Sequence, residues 1–160
     1  MANPPVSPNL AKALAKVIGY VEKIALALSL MGILFKYLQF SGSNELLIIG
    51  LFTLSTTLFL SGFVSAQPPG NSFVLIALKL GYIGSSTGVV GILFTLLHFE
   101  GAREILTVST LTLAGVVLLS GAQMARQDSN LNFLKPMLIR ATPIFLSCAY
   151  LFYQLSNTNT

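Results

Sequence analysis

The sequence predicts an all-α integral membrane protein with five transmembrane helices, a duplicated helical hairpin followed by one extra helix (A B A B A). Three observations lead there: the composition, the length of the apolar runs, and a phrase that occurs twice. Hydrophobic residues make up 54% of the 160 and charged residues only 9%, at a mean hydropathy of +0.79. A soluble domain is about 25% charged, and one of this size still leaves about 30% of its chain surface in water. There are too few polar residues here to cover that surface, so lipid is the expected solvent.

The chain begins with a proline-rich stretch where a cleaved leader would carry charge, and its first apolar run continues to full spanning length, so it reads as uncleaved. Ser7 and Pro8 suit an N-cap and a first helical position. Leu10, Ala11 and Leu14 then share a face. This short helix either lies on the membrane surface or leads directly into the first span. A span needs about 20 residues at about 1.5 Å each, and residues 19–39, 46–66, 74–98 and 105–125 meet that. They form a first hairpin over 19–66 and a second over 74–125, within a single membrane domain. Polar turns at Ser41–Asn44 and Glu100–Arg103 separate the members of each hairpin, and Gln67-Pro68-Pro69-Gly70-Asn71 breaks the chain between them.

The repeated phrase sets the register. GILFKYLQFSGSNELL starts at Gly32 and GILFTLLHFEGAREIL at Gly91, a constant 59 positions later. From Gly32 and Gly91 onward the match includes Gly42 with Gly101, Glu45 with Glu104, and Ser61-Gly62 with Ser120-Gly121. Apolar bias alone would align leucines, not these glycines and glutamates, so two helices have been duplicated. The fifth helix, expected over 133–155, carries the phrase a third time: Leu34-Phe35 and Leu38 return as Leu151-Phe152 and Leu155, which aligns Arg140 with Lys23. Its alternative is a fresh start at Thr142-Pro143, which leaves a segment too short to span.

Basic residues orient the chain. Lys12, Lys16, Lys23, Lys79, Arg126, Lys135 and Arg140 fall at the N-terminal side or the even-numbered connections, while Lys36 and Arg103 share the other side with Glu45, Glu100 and Glu104. The positive-inside rule then places the N-terminus on the cytoplasmic side and the C-terminus outside. The net charge of +4 comes from singly scattered residues, a poor match for nucleic acid.

Candidate site residues are few. Glu22 lies a turn or two inside the first span, where a charge is costly unless paired, and Lys79 or Arg140 can reach it. The third span carries Ala77, Gly81, Gly84, Gly88 and Gly91 at spacings of three and four, a seam of small residues for close helix approach. The seam serves packing within the chain or, alternatively, a partner helix or flat ligand. His98, in the place of Gln39, is either an interfacial polar side chain or a ligand contact for haem or chlorophyll. Cys148 is the one cysteine, so an intramolecular disulfide and a cysteine-built metal site are excluded. No serine or cysteine can be given both a histidine and a carboxylate without joining opposite membrane faces, so no catalytic triad is expected. No cofactor or metal is required by the sequence.

Phe35-Lys36, Gly42, Asn44 and Leu47-Ile48-Ile49-Gly50-Leu51 resemble the N-terminal membrane hairpin of the GldL family, inner-membrane subunits of the proton-driven gliding and type IX secretion motor of Bacteroidota. The resemblance covers about 30 residues and repeats weakly in the second hairpin. It implies a hairpin suited to helix association. That family continues with a Thr-Glu pair whose carboxylate is tied to proton coupling, whereas this chain has Thr53-Leu54 and Thr112-Leu113. The expected function is therefore a non-catalytic accessory or scaffold subunit of a larger membrane complex, in contact with lipid and with other membrane subunits or copies of itself. The rivals are a small-solute transporter or channel subunit, and a pigment, haem or quinone-binding subunit.

Overall fold

The computed structural model describes residues 8–64, 72–125 and 131–157. Ser7, the Gln67–Asn71 break, Arg126 and the last three residues lie outside the described residues. Five helices follow one another: α1 (Pro8–Tyr37), α2 (Ser43–Val64), α3 (Ser72–Leu96), α4 (Ala102–Ala125) and α5 (Leu131–Asn157). All five are long and apolar enough to cross a membrane, and the described residues contain no strand. The N-terminal helix runs directly into the first span, so α1 has 30 residues and a length of about 45 Å, against about 30 Å of hydrocarbon. Likewise α5 runs unbroken through Pro136 and Pro143, and Thr142-Pro143 is not a separate start.

The turns after α1 and α3 are built alike. Gln39 and His98 both have φ of 56°, and Gly42 and Gly101 both have φ of 84°. In the first turn Phe40 N–H donates to the Phe35 carbonyl at 2.9 Å and Gln39 N–H to Lys36 at 3.1 Å; in the second, Phe99 donates to Phe94 at 2.9 Å and His98 to Thr95 at 3.2 Å. This pair of bonds is the Schellman ending, which satisfies the last carbonyls of a helix. Its usual apolar contact is present in both as an edge-on ring pair, Phe35–Phe40 and Phe94–Phe99, each with centroids 5.4 Å apart. Gly42 and Gly101 then open the next helix, their carbonyls accepting from Leu46 and Ile105.

Above the turns, the hairpins close on the same contact. A Cβ on Gly32 would lie 3.1 Å from Leu47 Cδ2, and one on Gly91 would lie 3.0 Å from Leu106 Cδ2. Both leucines are fully buried. Between the hairpins, α2 meets α3 through Gly62 against Tyr82 and through Ser55 Oγ, 2.9 Å from Ser86 Oγ. Such hydroxyl pairs are worth about 0.6 kcal/mol on average in a membrane, so they fix orientation more than they stabilise.

The arrangement is not a simple repetition. Helix α5 packs on both α3 and α4, whereas α1 packs on α2 and makes no close backbone approach to α3. The most buried helix is α3, and α1 and α5 are the least buried.

Candidate functional site

The seam of α3 lies inside the bundle and divides between two neighbours. Gly84 and Gly91 face α4, where added Cβ atoms would meet Thr112 and Leu106. Gly81 and Gly88 face α5: a Cβ on Gly81 would sit 2.7 Å from Met137 Cε, and one on Gly88 3.0 Å from both Cys148 Sγ and Ile144 Cγ2. Two seven-residue intervals therefore serve two helices from one stripe. Ala77 is 3% exposed and belongs to the apolar cluster that includes Met137 and Ala141. Cys148 is fully buried, with Sγ 3.5 Å from the Gly88 carbonyl. It acts as a small core side chain.

Helix α1 does not close on α3 as α3 closes on α5, and the two can be compared at the offset of 59. The α1 residues in the positions of Gly81 and Gly88 are Glu22 and Ser29. Glu22 is partly buried and turns its carboxylate to Arg140, while Ser29 is buried against Gly50 of α2 and its hydroxyl donates to the Ala25 carbonyl. A groove of about 440 Å³ remains between α1 and α5, and Glu22 and Ser29 both line it. Its floor is apolar, with Leu51, Leu54 and Leu58 from α2 and Val89 from α3. Leu26, Leu30 and Ile33 form the α1 wall; Ile139, Pro143 and Ile144 form the α5 wall. From Glu22 to Ile33 the groove runs about 16 Å along the helix.

One end of the groove is crossed by an ion pair, with Arg140 Nη1 3.1 Å from Glu22 Oε2. The Glu22 side chain is 15% exposed and that of Arg140 40%. The approach lies off the hydrogen-bonding direction, and Glu22 Oε2 is enclosed without an aligned donor. The pair is thus a charge contact, and the exposure of Arg140 limits its contribution. Lys79, the other candidate partner, is exposed on α3 and stands outside the pair. Beyond the pair a second cleft of about 520 Å³ opens, lined by Lys16, Gly19, Tyr20, Glu22, Lys23 and Arg140. Three cations and one carboxylate meet there.

His98 lies far from this end, exposed in the turn after α3. Its left-handed backbone occupies the position after the helix cap, where glycine is favoured. His98→Gly is expected to raise stability by about 0.5–1 kcal/mol. Thermal unfolding in detergent checks this, and a lower midpoint would instead give the imidazole a structural or ligand contact. The described residues hold no group of three or more His, Cys, Asp and Glu side chains placed to share a metal ion.

Sequence reasoning singled out Glu22 and Arg140 but missed Ser29, Leu26 and Leu30. The signal was present in the offset of 59, which aligns the two glycines that receive α5 with Glu22 and Ser29. Set against protein-family models, curated proteins and solved structures, the chain matches none of them.

Proposed function

We propose that this chain is a non-catalytic, multi-pass protein of the bacterial cytoplasmic membrane that works as an accessory or scaffold subunit of a larger membrane complex. In this reading it is a duplicated hairpin with a third copy of the first helix, and the matching turn geometry supports that origin. The N-terminus is cytoplasmic and the C-terminus outside, on the distribution of basic residues. The observation that carries the reading is the placement of α1. It is attached along α2 and pinned at Glu22, and it leaves Val17, Ile24, Met31 and Leu34 at least half exposed. A long apolar helix held on one side is a surface against which another transmembrane helix can pack.

A transport reading has less support. Consecutive hairpins separated by an even number of crossings repeat in parallel, unlike the inverted repeats common in alternating access. The hydroxyls of Ser55 and Ser86 bond to each other, and those of Thr57 and Thr87 bond back to their own helices, which leaves them unavailable to a shared path.

Gentle extraction from native membrane, followed by size-exclusion chromatography with an absorbance spectrum and mass spectrometry, tests the proposal. Larger membrane subunits are expected to co-elute with this chain. A colourless assembly containing this chain alone would overturn the accessory role.

A further inference from the structure

The two clefts at the α1–α5 boundary share Glu22 and Arg140, and so form one continuous surface of two chemistries. The first part is basic and the second almost wholly aliphatic. We infer that this surface is a binding site for an anionic phospholipid, with its phosphate among Lys16, Lys23 and Arg140 and one acyl chain along the groove floored by Leu51, Leu54 and Leu58.

Charge complementarity selects this occupant. Arg140 already faces Glu22, which leaves the two lysine charges uncompensated at the mouth. A basic pocket between transmembrane helices is the recognised setting for a phosphate headgroup. Arginine and lysine stems can lie along the apolar wall while their charges reach the headgroup level. The volume of the groove, about 440 Å³, falls in the range of about 300–1,000 Å³ that ligand sites occupy. A zwitterionic lipid would fill the groove equally well but add its own cation to the basic mouth. An uncharged quinone would fill the groove and leave the mouth unused.

The site also accounts for Glu22. Its position is glycine in α3, where helix packs on helix. In α1 the carboxylate draws Arg140 across the top of the groove, which sets the guanidinium where a phosphate can meet it. The inference requires the chain to lie in a bilayer but does not depend on which subunits it joins.

Native mass spectrometry of the delipidated full chain tests the site, using palmitoyl-oleoyl phosphatidylglycerol and phosphatidylcholine with the same chains. One tightly retained phosphatidylglycerol is expected, preferred about tenfold or more, since each basic residue near the headgroups favours an anionic lipid by about fivefold. The double variant Lys16→Gln, Lys23→Gln is expected to lose that preference. Both lysines are exposed, so unfolding without lipid stays unchanged. Leu30→Trp, at a position 60% exposed, is expected to lower retention of both lipids by obstructing the groove. Equal retention of the two lipids, or a preference that survives in the double variant, would overturn the headgroup site. Unchanged retention in Leu30→Trp would overturn the acyl-chain groove. Because the isolated chain is used, failure here is distinct from failure to find partner subunits.

Discussion

Gly50→Ala is expected to separate α1 from α2 and to destabilise the protein by about 3 kcal/mol, the upper part of the usual range for overpacking. A Cβ on Gly50 would stand 2.6 Å from the Ser29 nitrogen and 2.9 Å from its Cα. These are backbone atoms, so no rotamer change relieves the clash and the helices must move apart. Alanine gains about 1 kcal/mol over glycine in helix propensity, which is too little to offset the clash. Gly115→Ala supplies the control. Nothing lies within 4 Å of its added Cβ, so only the propensity gain remains and the sign reverses. Thermal unfolding of the two variants in one detergent decides the matter, and a Gly50→Ala protein as stable as the parent would mean that α1 and α2 do not approach through Gly50.

Gly88→Leu is expected to displace α5. Cys148 and Ile144 already lie 3.0 Å from where a Cβ would begin, and three further carbons have no space without moving the helix. The cost is about 3 kcal/mol or more. The companion Gly81→Ala is expected to cost less, because the atoms it meets are the flexible end of Met137 and a thioether can change rotamer. A distance probe between α1 and α5, such as spin labels at Ile24 and Ile139, is expected to lengthen in Gly88→Leu and remain near its parent value in Gly81→Ala. Equal distances in all three proteins would place the contact of α5 elsewhere on α3.

The helices were legible because hydrocarbon thickness imposes a length that any spanning run must meet. The polar turns after α1 and α3 end those runs by local chemistry that does not depend on packing, whereas Pro136 and Pro143 do not break α5. Direction was harder to read. The segments of α2 and α3 are apolar on every side, so no polar stripe tells which face turns inward. The small-residue seam revealed where helices approach closely, but its division between α4 and α5 depends on how three helices sit together. Leu26 and Leu30 resemble any other lipid-facing leucines until the distance between α1 and α3 is known. The groove arises where a contact fails to form, and local periodicity carries no direct sign of that. The sign lies in positions 59 apart, where Gly81 stands opposite Glu22 and Gly88 opposite Ser29.

The ion pair at the head of the groove also has a meaning in time. Among the described residues, Glu22 and Arg140 form the ion pair that joins α1 to α5, and α1 is made before α5. Before α5 is made, the cations that line the cleft with Glu22 are Lys16 and Lys23 of its own helix, and Gly81 and Gly88 lack the Met137, Ile144 and Cys148 side chains that cover them. A chain in which α5 is still to be made therefore differs from one that includes it by a carboxylate without Arg140 and a bare stripe of α3 backbone.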